Sequence, residues 1–374
     1  MSKKVGMQIA LIIYKEKIFM IRGVVKMDKV KVVLWGFGAM GSGMAKMLLT
    51  KKGVEIVGVC DMHPERVNKS IYDILKVDRE DRQDVIINGN IEEVLTERCC
   101  DICLCATDSF TKNAFPKLKY ALEQKVNVIS TAEEMSYPRA QNPELAEELD
   151  KIARENGVTI LGTGINPGLI MDLLVVCLTG CMTDVTHVEA KRVNSLSPFG
   201  PAVMEEQGVG LKVDEFKKLV QEGTLAGHVG FSESVNMIAD AIGWKVEKFE
   251  QQMEPIVTKV DRKSPYGFAA AGDVAGVNMT GQGYVDGQVK IDMIHPQQIE
   301  PELEGTYTGD YITLKGTPEV NMSIKPEVNG GLGTIAMVVN MIPNVINARP
   351  GLKTMIDLPV PRAIMGDFRD FIER

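Results

Sequence analysis

The residues that most restrict how this chain can fold are three glycines in a short turn, Gly36-Phe37-Gly38-Ala39-Met40-Gly41. They directly follow the β-rich apolar run Val30–Trp35 and open a helical pattern, Ser42–Leu49. A second apolar run, Glu55–Cys60, ends on Asp61, twenty positions after Gly41. A strand, a glycine turn, a helix and a distal carboxylate together are far more specific than the glycine spacing alone. The first glycine makes the tight turn, the second lets backbone approach a pyrophosphate, and the third lets helix pack on strand. The phosphates then meet the free N–H groups and positive end of the helix. Asp61 is placed to accept hydrogen bonds from ribose hydroxyls, which favours NAD. His63 and Arg66 lie close enough to offer positive charge, so NADP stays open, although a solvated helix position is the simpler reading of Arg66.

Strand and helix patterns alternate beyond this motif. Helical stretches are expected at Pro64–Leu75, Ile91–Glu97, Thr111–Glu123 and Pro143–Asn156, with strands at Asp84–Ile87, Ile102–Ala106, Val126–Ser130 and Thr159–Gly162. That order predicts an α/β fold, a Rossmann-type doubly wound parallel sheet. After Pro167 the character changes. Period-two alternation at Val185–Asn194, Gln288–Ile294, Tyr307–Leu314 and Glu319–Ile324 is interspersed with helical stretches at Lys212–Glu222 and Ser232–Ile242. This predicts an α+β substrate domain on a mostly antiparallel sheet. The expected division is an N-terminal extension over 1–26, a dinucleotide-binding domain over 27–166 and a substrate and dimerisation domain over 167–329. A last segment, 330–374, is expected to return to the first domain.

Composition narrows the function classes. With 45% apolar and 25% charged residues the chain is ordinary globular material, and a formal charge of −8 disfavours nucleic acid. The apolar patch Ala10–Tyr14 is broken by Lys15, Glu16 and Lys17, too short to span a membrane. Seven cysteines form no disulfide framework, which fits a reducing cytoplasm. Cys99, Cys100, Cys103 and Cys105 cluster, but the last two sit in a strand-like apolar run with no histidine nearby, so no metal site is expected.

In doubly wound sheets ligands bind beyond the carboxyl ends of the strands. Those ends are Ala106-Thr107-Asp108-Ser109, Ser130-Thr131-Ala132-Glu133-Glu134 and Gly162-Thr163-Gly164-Ile165-Asn166-Pro167-Gly168. Asn166 either contacts the nicotinamide side of the cofactor or simply caps an expected helix Leu169–Cys177, with Pro167 at its first position. Glu133 and Glu134 follow an interior-like strand, where a carboxylate serves as general base or only complements a helix dipole. On Val185–Asn194, Arg192 and Asn194 project from one face. Such a pair either binds a substrate carboxylate or forms an edge salt bridge. His228, in Gly227-His228-Val229-Gly230, and Thr334, at the start of the last helix, are equally open.

Four runs resemble the 2,4-diaminopentanoate dehydrogenases: Val32–Gly41, Ser130–Pro138, Gly162–Gly168 and Gly227–Gly230. The resemblance covers the chain from about Met27 onward and extends more distantly to native amine dehydrogenases and, in the nucleotide domain, to dihydrodipicolinate reductase. It implies NAD- or NADP-dependent oxidative deamination at C4 of 2,4-diaminopentanoate, in ornithine degradation, by a cytoplasmic homodimer. A catalytic glutamate after the fifth strand is implied, with Glu134 the first choice and Glu133 the second. Cofactor contacts are implied for Gly36, Phe37, Gly38, Ala39, Met40, Gly41, Asp61, Ala106, Thr107, Thr131 and Asn166. Substrate contacts are implied for Arg192, Asn194, His228 and Thr334. Phe199 and Met204 stand where related enzymes carry tyrosines.

Two rival classes are an NAD(P)-dependent carbonyl reductase or dehydrogenase of the homoserine or dihydrodipicolinate type and a non-enzymatic dinucleotide sensor. Homoserine dehydrogenases carry lysine where this chain has glutamate, and a sensor needs neither a base nor an anion clamp.

Overall fold

The computed structural model describes residues 28–373; the expected extension over 1–26 lies outside them. Two sheets organise the chain. The first is seven-stranded and wholly parallel, in the order β15-β6-β5-β4-β1-β2-β3. Its strands are β1 (Val30–Trp35), β2 (Val54–Cys60), β3 (Ile87–Asn88), β4 (Ile102–Cys105), β5 (Asn127–Ser130), β6 (Thr159–Gly162) and β15 (Gly351–Lys353). Every residue of β4 and β6 is buried, as a strand covered by helices on both faces requires. Cys103 and Cys105 are therefore core side chains.

The strand order reverses between β1 and β4, and the glycine turn opens at this switch point. Gly36 has φ +95°, and a side chain there would strike the carbonyl of Ala106 at 2.4 Å. One at Gly41 would lie 1.9 Å from the carbonyl of Gly36. The helix Ala39–Leu49 can thus start against β1 only with glycine at both positions.

The second sheet is six-stranded, ordered β14-β13-β7-β12-β11-β8. It comprises β7 (Asp184–Ser195), β8 (Lys248–Val257), β11 (Val274–Val285), β12 (Gln288–Gln298), β13 (Gly309–Thr317) and β14 (Val320–Ile324). Only β7 and β12 run parallel among its described pairings. A two-residue ladder, β9 (Arg262–Lys263) with β10 (Phe268–Ala269), stands apart. The helices Leu173–Thr179, Val213–Glu222 and Phe231–Ile242 pack with the buried side of the second sheet in one core.

Several local expectations change. The stretch 64–69 forms turns, because Asn68 takes a left-handed φ of 64°, and helix begins only at Ile71 under a Ser70 cap. Ile91–Glu97 reduces to a single 3-10 turn, Ile91–Glu93. The helix expected at Leu169 starts at Leu173, where the Asp172 carboxylate accepts from the Leu173 N–H, so Asn166 is not its cap. β8 and β11 had no strand expectation; β11 carries glycines at 276, 281 and 283, which weaken a strand pattern. After the long helix Gly330–Ile346, which packs on Ala39–Leu49, the chain adds β15 beside β6. Among the described residues no helix is long and apolar enough to cross a membrane.

Candidate active site

A cleft of about 520 Å³ lies between the carboxyl ends of the parallel strands and one end of the mixed sheet. It brings together Ala39, Met40, Ala106, Thr107, Thr131, Glu133, Asn166, Arg192, Asn194, His228 and Thr334 from the expected set. Gly36, Phe37, Gly38, Gly41, Asp61 and Glu134 do not line it.

The glycine turn and Asp61 form an adjoining subsite. One Asp61 oxygen accepts from the His63 N–H at 2.7 Å, the other from the Phe37 N–H at 2.6 Å and from Arg66 Nη1 at 3.1 Å. Burial raises the Asp61 pKa, but these hydrogen bonds and the Arg66 charge outweigh it and hold the carboxyl below its usual range. Arg66 is thus an ion-pair partner at the glycine turn rather than a solvated helix residue. Phe37 contributes only its backbone, because its ring is buried in the core. A methyl group built on Gly38 would meet only Arg66 Nη1, at 4.0 Å, and the helix that follows has no side-chain cap. Open space over glycine beside free helix N–H groups fits a dinucleotide pyrophosphate.

The two adjacent glutamates diverge. Glu134 is buried, and its Oε2 accepts from the Thr111 N–H at 2.7 Å and from Asn142 Nδ2 at 3.1 Å. It caps the helix Thr111–Glu123, whose own N-cap residue, Phe110, has no side-chain acceptor. Glu133 faces the cleft, with the Ser109 hydroxyl as a side-chain partner. Burial raises its pKa most; the Ser109 hydroxyl and its own backbone N–H oppose that, and the charges of Glu206 and Glu134 reinforce it. The geometry therefore places Glu133 at the cleft and the Glu134 carboxylate at the end of the helix Thr111–Glu123.

On the opposite wall Arg192 and Asn194 share a face of β7, and both are buried. Arg192 donates from Nη1 to Asp310 at 2.6 Å and from Nη2 to the Val328 carbonyl at 2.5 Å. Asp310 is itself 0% exposed, so the guanidinium charge is compensated in place. The free two-pronged clamp expected of Arg192 is thus reduced to its remaining N–H groups. Asn194 Oδ1 and Asn166 Oδ1 are buried without hydrogen-bond partners. His228 Nε2 meets Asn166 Nδ2 at 3.2 Å, and its ring lies edge-on to His295 at 4.9 Å. Burial, and then Arg192, pushes the His228 pKa down to about 3, so the ring is neutral. The Thr334 hydroxyl accepts from the Ile165 N–H at 3.2 Å, tying the last helix to the loop after β6.

His295, Gln297, Glu206 and Gln207 are polar cleft residues that had no expectation attached. His295 and Gln297 lie on β12, which continues four residues past the expected end at Ile294 and carries the alternation through them. Glu206 and Gln207 end and follow a six-residue helix, Pro201–Glu206, too short to show a period.

Residues 169–374 match the model of the 2,4-diaminopentanoate dehydrogenase C-terminal domain, more than half of the chain. The chain is 65% identical over 347 residues to a 2,4-diaminopentanoate dehydrogenase of Acetoanaerobium sticklandii, covering 92% of this chain and 98% of that protein. It belongs to the 2,4-diaminopentanoate dehydrogenase family. Residues 30–160 match the N-terminal domain of dihydrodipicolinate reductase. An amine dehydrogenase of Streptomyces virginiae is 21% identical over 90% of this chain and 98% of its own. The solved amine dehydrogenase of Mycobacterium smegmatis superposes with a TM-score of 0.80 at 28% identity, over 90% of this chain and 98% of that one. A member of this family is an oxidoreductase using NAD or NADP, and the glycine subsite fits that cofactor.

Proposed function

We propose that the chain oxidises 2,4-diaminopentanoate at C4, with water, to 2-amino-4-oxopentanoate and ammonia, reducing one NAD or NADP. The observation that carries this reading is Glu133: a cleft carboxylate of raised proton affinity in a chain 65% identical to a dehydrogenase of that name. An ammonium has no lone pair, so the C4 amine must lose a proton before its carbon can release hydride. Glu133 takes that proton and passes it to solvent. Once hydride has left C4, Glu133 draws a proton from the water that adds there and returns it to the nitrogen. The nitrogen then leaves as ammonia while the C4 hydroxyl loses its proton to form the ketone. A nicotinamide dinucleotide, when bound, would supply the hydride acceptor; Gly36, Gly38, Gly41 and Asp61 would hold it on one side and Ala39, Met40, Ala106, Thr107, Thr131 and Asn166 along the cleft.

Arg192, through the N–H groups not used by Asp310 and Val328, and Asn194 orient the substrate carboxylate; His228 and Thr334 complete that wall. Holding C4 in place in this way is worth several powers of ten in effective concentration. The neutral His228 and His295 contribute hydrogen bonds and shape rather than proton transfer.

A homodimer acting in ornithine breakdown in the cytoplasm completes the proposal, and light scattering at working concentration tests the dimer. For the reaction, purified protein is mixed with 2,4-diaminopentanoate and with NAD or NADP separately, while absorbance of the reduced cofactor is followed. Ornithine, meso-diaminopimelate and homoserine are the comparisons. Release of ammonia equal to cofactor reduced supports the reading; turnover of homoserine without ammonia release overturns it.

A further inference from the structure

The charges in the cleft do not balance. Arg192 is neutralised by Asp310, and Asp108 by Lys117 at 2.6 Å. Glu133 and Glu206 both line the cleft, and neither forms an ion pair among the described residues. They are close enough for the Glu206 charge to raise the proton affinity of Glu133. The backbone at Glu206 is also held in place, while its carboxylate is exposed at the cleft. Its carbonyl accepts from the Gly227 N–H at 3.1 Å, and Gln207 Nε2 donates to the Gly227 carbonyl at 2.9 Å. The end of its helix is thereby fixed against the loop carrying His228. Independently, the buried Asn194 Oδ1 and Asn166 Oδ1 present acceptors with no donor. Two carboxylates without ion partners, and the open Asn194 Oδ1 beside a guanidinium already paired, suit a ligand with two cationic nitrogens.

We propose that Glu206 is the specificity residue for the second amine, its carboxylate holding the C2 ammonium while Glu133 addresses the C4 amine. This rests on the reading that the substrate is a 2,4-diamino acid. A simple amine leaves Glu206 without a partner, so the residue favours diamino acids over monoamines of the same length. A charge-assisted hydrogen bond of this kind is worth roughly 10- to 100-fold in affinity.

Dead-end inhibition separates this role from any effect on chemistry. Inhibition constants of 2-aminopentanoate and pentanoate are measured against 2,4-diaminopentanoate, for the wild type and for Glu206→Gln. The wild type should prefer the amino compound by roughly 10- to 100-fold. Glu206→Gln should bring the two constants within about threefold while leaving that of pentanoate unchanged. Glu206→Asp should retain part of the preference. An undiminished preference in Glu206→Gln overturns the proposal, as does an equal loss for both compounds, which marks a general role in shaping the cleft. If the wild type itself fails to turn over 2,4-diaminopentanoate, the proposed reaction falls, and this assignment with it. If it turns over but shows no preference between the two inhibitors, only this assignment falls.

Discussion

The parallel-sheet half and the mixed-sheet half build their sides of the cleft by different means. In the first, each candidate residue follows its strand by a few positions: Gly36 after Trp35, Asp61 after Cys60, Thr107 after Cys105 and Glu133 after Ser130. In the second, the groups that meet are distant in sequence. Arg192 is held by Asp310, 118 residues on, and its carbonyl meets His295 Nδ1, 103 residues on, at 2.7 Å. The first half places chemistry by local chain direction, the second by strand register. Substitutions in the first half should therefore alter single functions, and those in the second should couple stability with binding.

Glu133→Gln tests the local half most severely. General base catalysis is worth about 10²–10⁴-fold, so kcat should fall on that scale while cofactor affinity, read by fluorescence titration, stays within about twofold. Because the Glu133 pKa is raised and the ionised form is the active one, wild-type kcat/KM should fall as pH drops through that raised value. The acidic limb thus lies above the range of an ordinary carboxylate. A variant with near-normal kcat would remove Glu133 from the chemistry.

Asp310→Ala tests the second half. Removing one partner of a buried pair leaves Arg192 uncompensated, at about 3–5 kcal/mol of stability. Urea unfolding should show that loss, together with a raised KM for the amino acid. Replacing both, Arg192→Met with Asp310→Leu, should recover stability but not KM. If stability and KM instead separate already in Asp310→Ala, register is not what links them.

Glu134→Gln sharpens the contrast between neighbours. The buried charge-assisted cap on Thr111 is worth about 1.5–3 kcal/mol, so unfolding should move while kcat stays within about threefold. A loss in kcat on the Glu133 scale would restore the expectation that Glu134 is the base.

These differences also explain what could be read from the chain itself. Val30–Trp35, the glycines and Asp61 are contiguous signals with one structural solution, so the parallel fold and the dinucleotide subsite were legible. Which of Glu133 and Glu134 faces the cleft was not, because that depends on Asn142 and on the helix end at Thr111, which claim one carboxylate. The Asp310 partner of Arg192 was hidden likewise, since antiparallel register between β7 and β13 sets it. His295 and Gln297 carried a usable signal, the continued alternation of β12, whereas the short helix ending at Glu206 carried none.

The most gradual expected effect, read per pH unit, lies where the halves meet. Glu233, on the helix Phe231–Ile242, is fully buried; its Oε1 accepts from Gln141 Nε2 at 2.8 Å, while Oε2 has no partner. Burial, aided by the Glu134 charge, raises its pKa from 4.5 to about 7, though Gln141 and its own backbone N–H oppose the shift. Glu233 therefore holds more proton in the folded than in the unfolded chain between those values, so its contribution to stability is highest below about 4.5 and declines as pH rises toward 7. The slope from this one group is at most about 1.4 kcal/mol per pH unit. Glu233→Gln should flatten that part of the stability curve measured by urea unfolding from pH 5 to 8, leaving kcat at pH 8 within about twofold. A slope unchanged by the substitution would place the proton elsewhere. A slope of opposite sign in the wild type, unchanged by the substitution, would mean the contact between the halves is tightened by ionised groups other than Glu233.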